Sequence, residues 1–448
     1  MVGTAGAQQF VRWGMRHGLM RRFLVHHARS GDIGARLMID PALRDDPYPY
    51  YEQLRTQGRT VLTGLALNSV DHAMCAAVLR SPDFGTGVRA PSELPAPVRL
   101  AMRLSAGGPL NPGEPPSILS VDPPDHTRYR KLVTRAFSAK AIAALRGRVA
   151  EIADELLEEL AAKAAATGTV DLVADYASLL PATVIAEMLG APVSMRRQFL
   201  QWGAGVALAL DPGLTYRDFR EAERDLFALQ RWMVGHFDRI RRSPGDDILS
   251  ALVAVHDEGS QNSMQHRLTD DELTSIAMVL LAAGFETTVN LLGNGAALLV
   301  EHPDQLAALR AGTASWATAT DEVLRFDPPV QRTARLAHRD TEVLGERIRG
   351  GQLVVLILAG ANRDPAVFAD PQRFDVTRRD ADRHVAFSQG IHYCLGAGLA
   401  RMEGEIGLRA LFERFPGLAL AAPPRRRPTR LLRGFDAMPV TLGAAIPA

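Results

Sequence analysis

The chain has 448 residues, of which 47% are hydrophobic and 23% charged, the composition of a soluble globular protein with a large core. Its formal net charge of +1 gives no global indication of nucleic-acid binding or of a strongly acidic partner. The two cysteines, Cys75 and Cys394, exclude a disulfide framework, and no apolar run of about 18 residues predicts a membrane-spanning helix. The N-terminus lacks the apolar core and cleavage site of a secretory signal, so we expect a cytoplasmic protein.

Residues 1–36 form a basic, amphipathic extension that differs in composition from the rest of the chain. Six arginines lie in this segment against the single acid Asp32, and aromatic and aliphatic side chains are interleaved with them. A helix of this kind can lie on a membrane surface, so a weak membrane contact is one interpretation. Chain termini are often loosely held, and an extension that is poorly ordered or packed on the protein is the interpretation we favour.

A proline-rich stretch follows at residues 91–124, where nine prolines occur. Proline removes a backbone donor and breaks helices, so this stretch cannot be a regular helix. A long loop in a compact protein is often a functional cover over a site. The alternative interpretation is a plain surface excursion.

Helical periodicity dominates the next part of the chain, with apolar residues every three or four positions over 125–190 and again over 194–260. Strand-like pieces are few. The segment TEVLGERIRGGQLVVLIL, residues 341–358, is typical of a short β-hairpin. The sequence therefore predicts a mostly α protein with a smaller β part.

The clearest single element begins at Thr269. The sequence TDDE predicts a capping box between Thr269 and Glu272, and apolar residues continue to about Val300. A helix this long and this apolar must cross the centre of the protein. It nevertheless contains AGFETT, residues 283–288, whose polar groups are costly to bury without partners. Gly284 in this stretch allows another group to approach the backbone closely.

The segment FSQGIHYCLG, residues 387–396, surrounds one of the two cysteines with glycines, an aromatic ring and a histidine. A lone cysteine is usually a buried apolar side chain, but a cysteine thiolate can also hold haem iron. Gly390 and Gly396 would let the loop turn beneath a flat porphyrin. A strong helix follows Gly396, so Cys394 would lie just before a helix N-terminus, where the dipole favours the thiolate.

Phe387, Gly390, His392, Cys394 and Gly396 match the haem-binding signature F-G-x-G-x-H-x-C-x-G of the cytochrome P450 family. Only the second position departs from the signature, and the small serine there is expected not to disturb the loop. The resemblance extends over roughly residues 37–445. It implies a single catalytic domain at 37–448 with a long central helix over a buried haem b, whose proximal ligand would be Cys394.

Three further segments resemble motifs of the same family, in the family's order. AGFETT resembles the oxygen-activating motif, and its acid–alcohol pair would be Glu286 and Thr287. EVLR resembles the ExxR motif, with Glu322 and Arg325 as an ion pair, and FADPQRF would add Arg373 to that network. For Glu322, Arg325 and Arg373 the resemblance implies a structural salt-bridge network, which is also what a purely structural interpretation of these residues predicts.

The segment DHTRYRKL places His126 and Arg130 four residues apart on one helical face. In isolation such a face is most often solvated. The resemblance implies instead that the two side chains bind one haem propionate, which arginine can hold with two hydrogen bonds. It also implies that Arg335 and His392 bind the other propionate.

The resemblance implies a monooxygenase that inserts one atom of O2 into an organic substrate by hydroxylation or epoxidation. No nucleotide-binding fingerprint occurs, so electrons are expected from a separate ferredoxin served by an NAD(P)H-dependent reductase. That partner would dock near the cysteine loop, where Arg383 and Arg401 could meet acidic groups, although exposed arginines are more often plain surface. No nucleic-acid partner is expected.

The substrate itself cannot be named, but the segments that would line its pocket are apolar. They are residues 85–120, residues 195–215, the central helix around Leu280 to Thr287, and the strand after Pro329. A small hydrophobic molecule is therefore expected. The alternatives are a haem-thiolate peroxygenase driven by peroxide, a non-catalytic haem gas sensor or carrier, and a haem-free helical binding module.

Overall fold

The computed structural model describes residues 2–64, 66–86, 107–258 and 268–444. Helices dominate, as the sequence predicts. They are α1 Val2–Trp13, α2 Leu19–Arg29, α3 Ile33–Ile39, α4 Pro41–Asp45, α5 Tyr48–Gln57, α6 His72–Arg80, α7 Asp125–Thr134, α8 Ala139–Thr167, α9 Leu179–Met188, α10 Arg196–Ala209, α11 Tyr216–Arg242, α12 Ile248–Glu258, α13 Asp270–Glu301, α14 Pro303–Arg310, α15 Trp316–Phe326, α16 Leu358–Ala361 and α17 Ala397–Arg414.

The strands are short and gather into small sheets. They are β1 Val61–Thr63, β2 Ala66–Ser69, β3 Phe84–Gly85, β4 Val170–Asp171, β5 Thr333–Ala337, β6 Thr341–Val343, β7 Glu346–Ile348, β8 Leu353–Leu356, β9 Ala419–Leu420, β10 Arg425–Arg426, β11 Phe435–Ala437 and β12 Pro439–Thr441. The largest sheet has the strand order β1-β2-β8-β5-β3, in which only β2 and β8 are parallel.

The predicted hairpin at 341–358 is correct only in its first half. Strands β6 and β7 pair antiparallel around a turn at Leu344 and Gly345, both of which have positive φ. Strand β8 instead joins the five-stranded sheet, between β2 and β5. The apolar run LVVL needs a partner on each side to bury its backbone groups, and the distant β2 supplies one of them.

Helix α13 is the predicted central helix, and it spans 32 residues. Both halves of the predicted capping box form, since Thr269 accepts from the N–H of Glu272 while the Glu272 carboxylate accepts from the N–H of Thr269. By length and composition α13 could cross a membrane, but 83% of its apolar window is buried inside the protein. It is therefore the core helix around which the largest hydrophobic cluster is built.

The N-terminal extension packs on the protein through polar and aromatic contacts. Arg12, buried, pairs with buried Glu223 of α11 through Nε–Oε1 and Nη2–Oε2 contacts of 2.8 and 3.0 Å. Trp13 donates from Nε1 to the carbonyl of Leu214 at 2.9 Å, in the turn that joins α10 to α11. The favoured interpretation of residues 1–36, a packed segment, agrees with these contacts.

Candidate active site

The Cys394 loop, residues 387–396, lies between the turn-rich segment 362–386 and helix α17. The Cys394 N–H donates to the carbonyl of Phe387 at 2.9 Å, which closes the loop, and the N–H of Gly396 lies at the cysteine side chain. Gly396 is the N-cap residue of α17. Cys394 therefore lies just before a helix N-terminus, as the sequence predicts.

Two residues of this loop adopt the left-handed backbone conformation. Gly390 has φ +70°, and an added Cβ there would clash with the carbonyl oxygen of Leu79, so the glycine is required. Ser388, which replaces a glycine of the family signature, has φ +62°, and its buried Oγ has no hydrogen-bond partner. The loop forms with the serine present, but the serine carries a strain of roughly 1–2 kcal/mol that a glycine would avoid.

The surroundings of Cys394 shift the pKa of its thiol in opposite directions. Burial among protein atoms raises the pKa of its thiol, whereas the Gly396 N–H and the Arg130 and Arg401 guanidinium groups lower it. The residue nevertheless has exposed surface, which places the sulfur at the wall of a concavity. Three positive or donor groups around an accessible sulfur are suited to a thiolate ligand.

Two histidines meet beside this loop. The ring centroids of His126 and His392 are 4.1 Å apart, and His392 Nε2 has no hydrogen-bond partner, although the Asp122 carboxylate lies 3.9 Å from it. Burial, followed by the charges of His392 and Arg130, lowers the pKa of His126 to about 4. His126 is thus buried, and the solvated-face alternative is wrong for it.

Arg130 and Arg335 join the two histidines. Arg335 is buried and donates only to Thr333 Oγ1 at 3.2 Å and the Ala334 carbonyl at 2.8 Å. Burial lowers the pKa of both arginines. In the part of the chain that the structure describes, neither arginine has a carboxylate at ion-pair distance. The half-buried Arg130 and the buried Arg335, neither paired with an anion, lie beside His392 and would fit the two propionates of a haem whose iron is bound by Cys394.

The central helix presents one open patch to this region. Nearly every residue of α13 from Leu273 to Leu299 is buried, but Ala283 is exposed and Gly284 and Thr287 are partly exposed. These positions are spaced i, i+1 and i+4, so they share one helix face. The Thr287 hydroxyl donates to the Ala283 carbonyl at 3.2 Å on that face.

Glu286 points elsewhere, so the structure separates the predicted acid–alcohol pair. Its carboxylate is buried and pairs with Arg427 of the loop that joins β10 to β11. The pairing satisfies the acid at a position where an unpaired charge would be costly. Gly284 does allow close approach, but of Ile185 on α9, whose side chain occupies the space that a Cβ would fill.

Glu322 and Arg325 form a fully buried ion pair that is joined by two hydrogen bonds. Arg325 Nε and Nη2 donate to the two Glu322 carboxylate oxygens at 2.6 and 2.8 Å. The prediction that the Arg373 side chain joins this network is wrong. Arg373 is exposed and contributes only its carbonyl oxygen, while the guanidinium that approaches Glu322 is that of Arg378, with Nε at 3.4 Å from Oε2.

Two polar residues near α13, one half-buried and one buried, were missed by sequence reasoning. One is Arg427, whose pairing with Glu286 spans 141 residues. The other is Glu403 on α17, whose pKa burial raises to about 8, an effect that the neighbouring Thr288 hydroxyl only partly offsets. Glu403 is therefore protonated at neutral pH. Its place on the buried stripe Leu399–Glu403–Gly407 was the available signal, because an acid four residues from apolar neighbours shares their face.

The surface around the Cys394 loop is partly apolar. Ile391 and Tyr393 are 51% and 40% exposed. Arg383 is exposed, whereas Arg401 is committed to Asp321 at 2.7 Å and lies 4.7 Å from the Phe387 ring centroid. Arg401 is thus a structural residue of the loop. Of the predicted pocket-lining segments, residues 87–106 fall outside the described part of the chain.

Residues 110–314 and 318–430 match the sequence model of the cytochrome P450 family. The chain therefore belongs to this family, and it is a haem-thiolate monooxygenase.

Known relatives extend over nearly the whole chain. Cytochrome P450 140 of Mycobacterium tuberculosis is 45% identical over 435 residues, which are 97% of this chain and 98% of the relative. The 6-deoxyerythronolide B hydroxylase of Saccharopolyspora erythraea is 43% identical over 72% of this chain and 76% of its own length. The crystal structure of the myxobacterial cytochrome P450 CYP267B1 with myristic acid superposes with a TM-score of 0.78 at 33% identity, covering 91% of this chain and 99% of that one.

Proposed function

We propose that the chain binds haem b through the Cys394 thiolate and oxidises a small hydrophobic substrate by hydroxylation or epoxidation. The observation that carries this proposal is the convergence of Arg130, Arg335, His126 and His392 near Cys394, a residue with exposed surface. When bound, the haem would supply the activation of O2. The protein would supply the thiolate, a site for the propionates and an apolar cavity.

The open patch of α13 supports a role for Thr287 in holding water next to the reacting group. Its hydroxyl donates to the Ala283 carbonyl, so its oxygen remains free to accept a hydrogen bond from a water molecule. Glu286 is paired with Arg427, so its carboxylate would have to rotate towards Thr287 before it could take part in proton transfer there. Thr287→Ala is expected to retain haem but to release more hydrogen peroxide per electron consumed. An unchanged product yield per electron would exclude the role of Thr287.

Electrons are proposed to come from a ferredoxin served by a reductase. Ile391 and Tyr393 are exposed in the Cys394 loop, and Arg383 is exposed four residues before that loop begins, a combination of apolar surface and positive charge suited to a brief encounter with an acidic carrier. Arg383→Glu should slow reduction by ferredoxin, more at low than at high ionic strength. Reduction by dithionite should be unchanged in the same variant.

A weak contact of residues 1–36 with an anionic membrane surface is also proposed for this otherwise cytoplasmic enzyme. Phe10, Val11, Leu19 and Met20 are 41–61% exposed on the outer side of the extension, and Arg22 is exposed beside them. Apolar side chains next to a cation favour a membrane interface. Co-sedimentation with vesicles of anionic phospholipid tests this, and Phe10→Ser with Leu19→Ser should reduce the bound fraction.

The absorption spectrum of the reduced, carbon-monoxide-bound protein tests the central proposal. A strongly red-shifted Soret band is expected for the wild type and should be lost in Cys394→Ser. A peroxygenase would instead turn over with hydrogen peroxide alone, and a gas sensor would bind carbon monoxide without consuming electrons when substrate is added. The intact Thr287 favours the monooxygenase, because a peroxide user needs no such proton delivery.

A further inference from the structure

The N-terminal extension bridges two parts of the chain that are far apart in sequence. Helix α1, the π-helical turn Gly14–Gly18 and helix α2 follow one another without a break and form one helical segment, residues 2–29. This segment contacts a loop at residues 107–114, which we call the loop wall. It also contacts residues 209–230, the helix wall, which comprise the end of α10, the turn after it and the first half of α11.

The contacts with the helix wall are aromatic and polar, and some of them are buried. Trp13 Nε1 donates to the Leu214 carbonyl at 2.9 Å. Arg12 and Glu223 form a buried ion pair, and the Glu223 carboxylate also accepts from Gln9 Nε2 at 2.9 Å. Separation of this pair would leave charged groups without partners in the interior, so the helical segment is held firmly to the helix wall.

The contacts with the loop wall are weaker. Arg16 Nη2 donates to Glu114 Oε2 at 2.9 Å, and the two side chains are 24% and 42% exposed. Gly108 lies against the Arg12–Glu223 pair, because a Cβ added there would come 3.4 Å from Arg12 Nε and from Glu223 Oε1. Solvent weakens the Arg16–Glu114 pair relative to the buried one, so the helical segment is released more easily from the loop wall than from the helix wall.

A cavity separates the two walls, and the helical segment closes it. The cavity encloses about 250 Å³ of space that includes open solvent. Its lining comes from both walls and from the helical segment, and includes Pro109, Asn111, Leu214, Phe219, Arg16 and His17. The walls also meet directly where the Leu110 N–H donates to Gln230 Oε1 at 3.0 Å. The cavity shows that the walls are incompletely packed on each other beneath the segment.

Each wall is continuous with an element that reaches the candidate active site. The loop wall continues along the chain into α7, which carries His126 and Arg130. The helix wall begins at the end of α10, and Gly203 of that helix lies directly against the Phe285 ring of α13, where a Cβ would clash with it. Phe285 is the neighbour of Gly284 in the open patch of α13. A displacement of either wall therefore acts on a helix that carries residues of the site.

We propose that residues 2–29 are a strap that holds the two walls together and limits the rate at which ligands pass between them into the site. The inference rests on the proposed function, since it requires a ligand that binds beside α13. Release of the strap leaves the walls free to separate. Because the strap lies outside the contacts of the bound ligand, entry and exit become faster by the same factor and the dissociation constant stays the same.

Stopped-flow binding of phenylimidazole to the holoenzyme, followed by the shift of the Soret band, tests the proposal. The double variant Trp13→Phe with Arg16→Gln loses one hydrogen bond to each wall and keeps an aromatic ring. Its association and dissociation rate constants should both rise about five- to tenfold, the change expected when a hydrogen bond of ordinary strength no longer opposes opening. Arg29→Gln, which removes an exposed arginine from the same helical segment, should leave both constants unchanged.

Reversal of the Arg16–Glu114 pair tests the bridge to the loop wall by itself. Arg16→Glu places two carboxylates next to each other and should raise both rate constants. Arg16→Glu combined with Glu114→Arg should return them towards the wild-type values. A segment that only stabilises the fold would change the melting temperature of these variants without this rescue of the rates.

Unchanged rate constants in the double variant Trp13→Phe with Arg16→Gln, or an equal acceleration by Arg29→Gln, would overturn the proposal. An acceleration by Arg16→Glu that persists in the reversed pair would overturn it as well. The red-shifted Soret band of the reduced carbon-monoxide complex shows that each variant folds and binds haem. If the wild type lacked that band, the proposed function itself would fail, whatever the rates.

Discussion

Arg325 and Arg332 are buried arginines only seven residues apart, but the hydrogen bonding of their guanidinium groups differs strongly. Arg325 is fully buried, and its five N–H donors match five bonds, to Glu322 and to the carbonyls of Asn362, Pro371 and Arg373. Arg332 is nearly as buried, but its Nε has no partner. The difference separates a guanidinium whose donors are all used from one whose hydrogen bonding is incomplete.

The largest loss of stability is expected when Arg325, the framework arginine of this comparison, is replaced. Arg325→Met leaves the Glu322 carboxylate buried without its partner, and the loss of one member of a buried pair costs about 3–5 kcal/mol. Urea unfolding and haem content measure it, and both should fall. Arg409→Met, which removes an exposed i,i+4 pair with Glu413, should change the free energy of unfolding by less than about 1 kcal/mol. Similar losses in both variants would contradict the framework role.

Acidification should loosen the N-terminal extension, which depends on a buried neutral histidine. Burial lowers the pKa of His17 from 6.5 to about 4, so its contribution is complete above pH 6.5 and is lost as pH falls towards 4. At pH 5 the loss is about 2 kcal/mol. Limited proteolysis should therefore release residues 1–36 faster at pH 5 than at pH 7.

The variant His17→Gln cannot gain this charge and serves as the control. Its extension should be cleaved at nearly equal rates at the two pH values. If wild type shows no pH dependence, or if the variant shows the same one, the buried histidine does not hold the extension in place.

Ser388 combines a left-handed backbone conformation with a buried hydroxyl that has no hydrogen-bond partner. Ser388→Gly should raise the free energy of unfolding by about 1 kcal/mol, because glycine adopts the left-handed conformation without strain. Thermal unfolding of the holoenzyme measures this gain. Ser388→Ala removes the unpartnered hydroxyl but keeps the strained backbone, so a larger gain from alanine than from glycine would assign the cost to the hydroxyl.

The smallest change in the free energy of unfolding is expected for the substitution of Arg332, although the burial of this residue would suggest a large change. Arg332→Met in the absence of ligand should alter the free energy of unfolding by no more than about 1 kcal/mol, because no ion pair is broken. Measured beside Arg325→Met under identical conditions, it compares the two arginines directly. A loss of several kcal/mol would mean that Arg332 is part of the framework.

Local patterns in the sequence predicted much of the structure of the Cys394 loop, the central helix and the ExxR pair. The Cys394 loop, the capping box at Thr269 and the central helix each depend on residues close together in the chain, and the structure confirms each of them. The ExxR pair Glu322–Arg325 is equally local, since its members share one helix face.

The sequence could not predict features that arise from distant partners. Glu286 meets Arg427 across 141 residues, and nothing in AGFETT indicates that its acid turns away from its threonine. Strand β8 pairs with β2, far away in the chain, and Arg378 takes the place expected for Arg373 because the loop between them sets which side chain faces inward.

Glu272, the second half of the capping box, also joins two helices. Its carboxylate accepts from Arg128 Nη2 and from the Tyr129 hydroxyl, both at 2.6 Å, in addition to the Thr269 N–H. Helix α7, which carries Arg128 and Tyr129, is also the helix of His126 and Arg130. One carboxylate thus joins the first turn of α13 to α7, so the start of the central helix is fixed against the helix that carries His126 and Arg130.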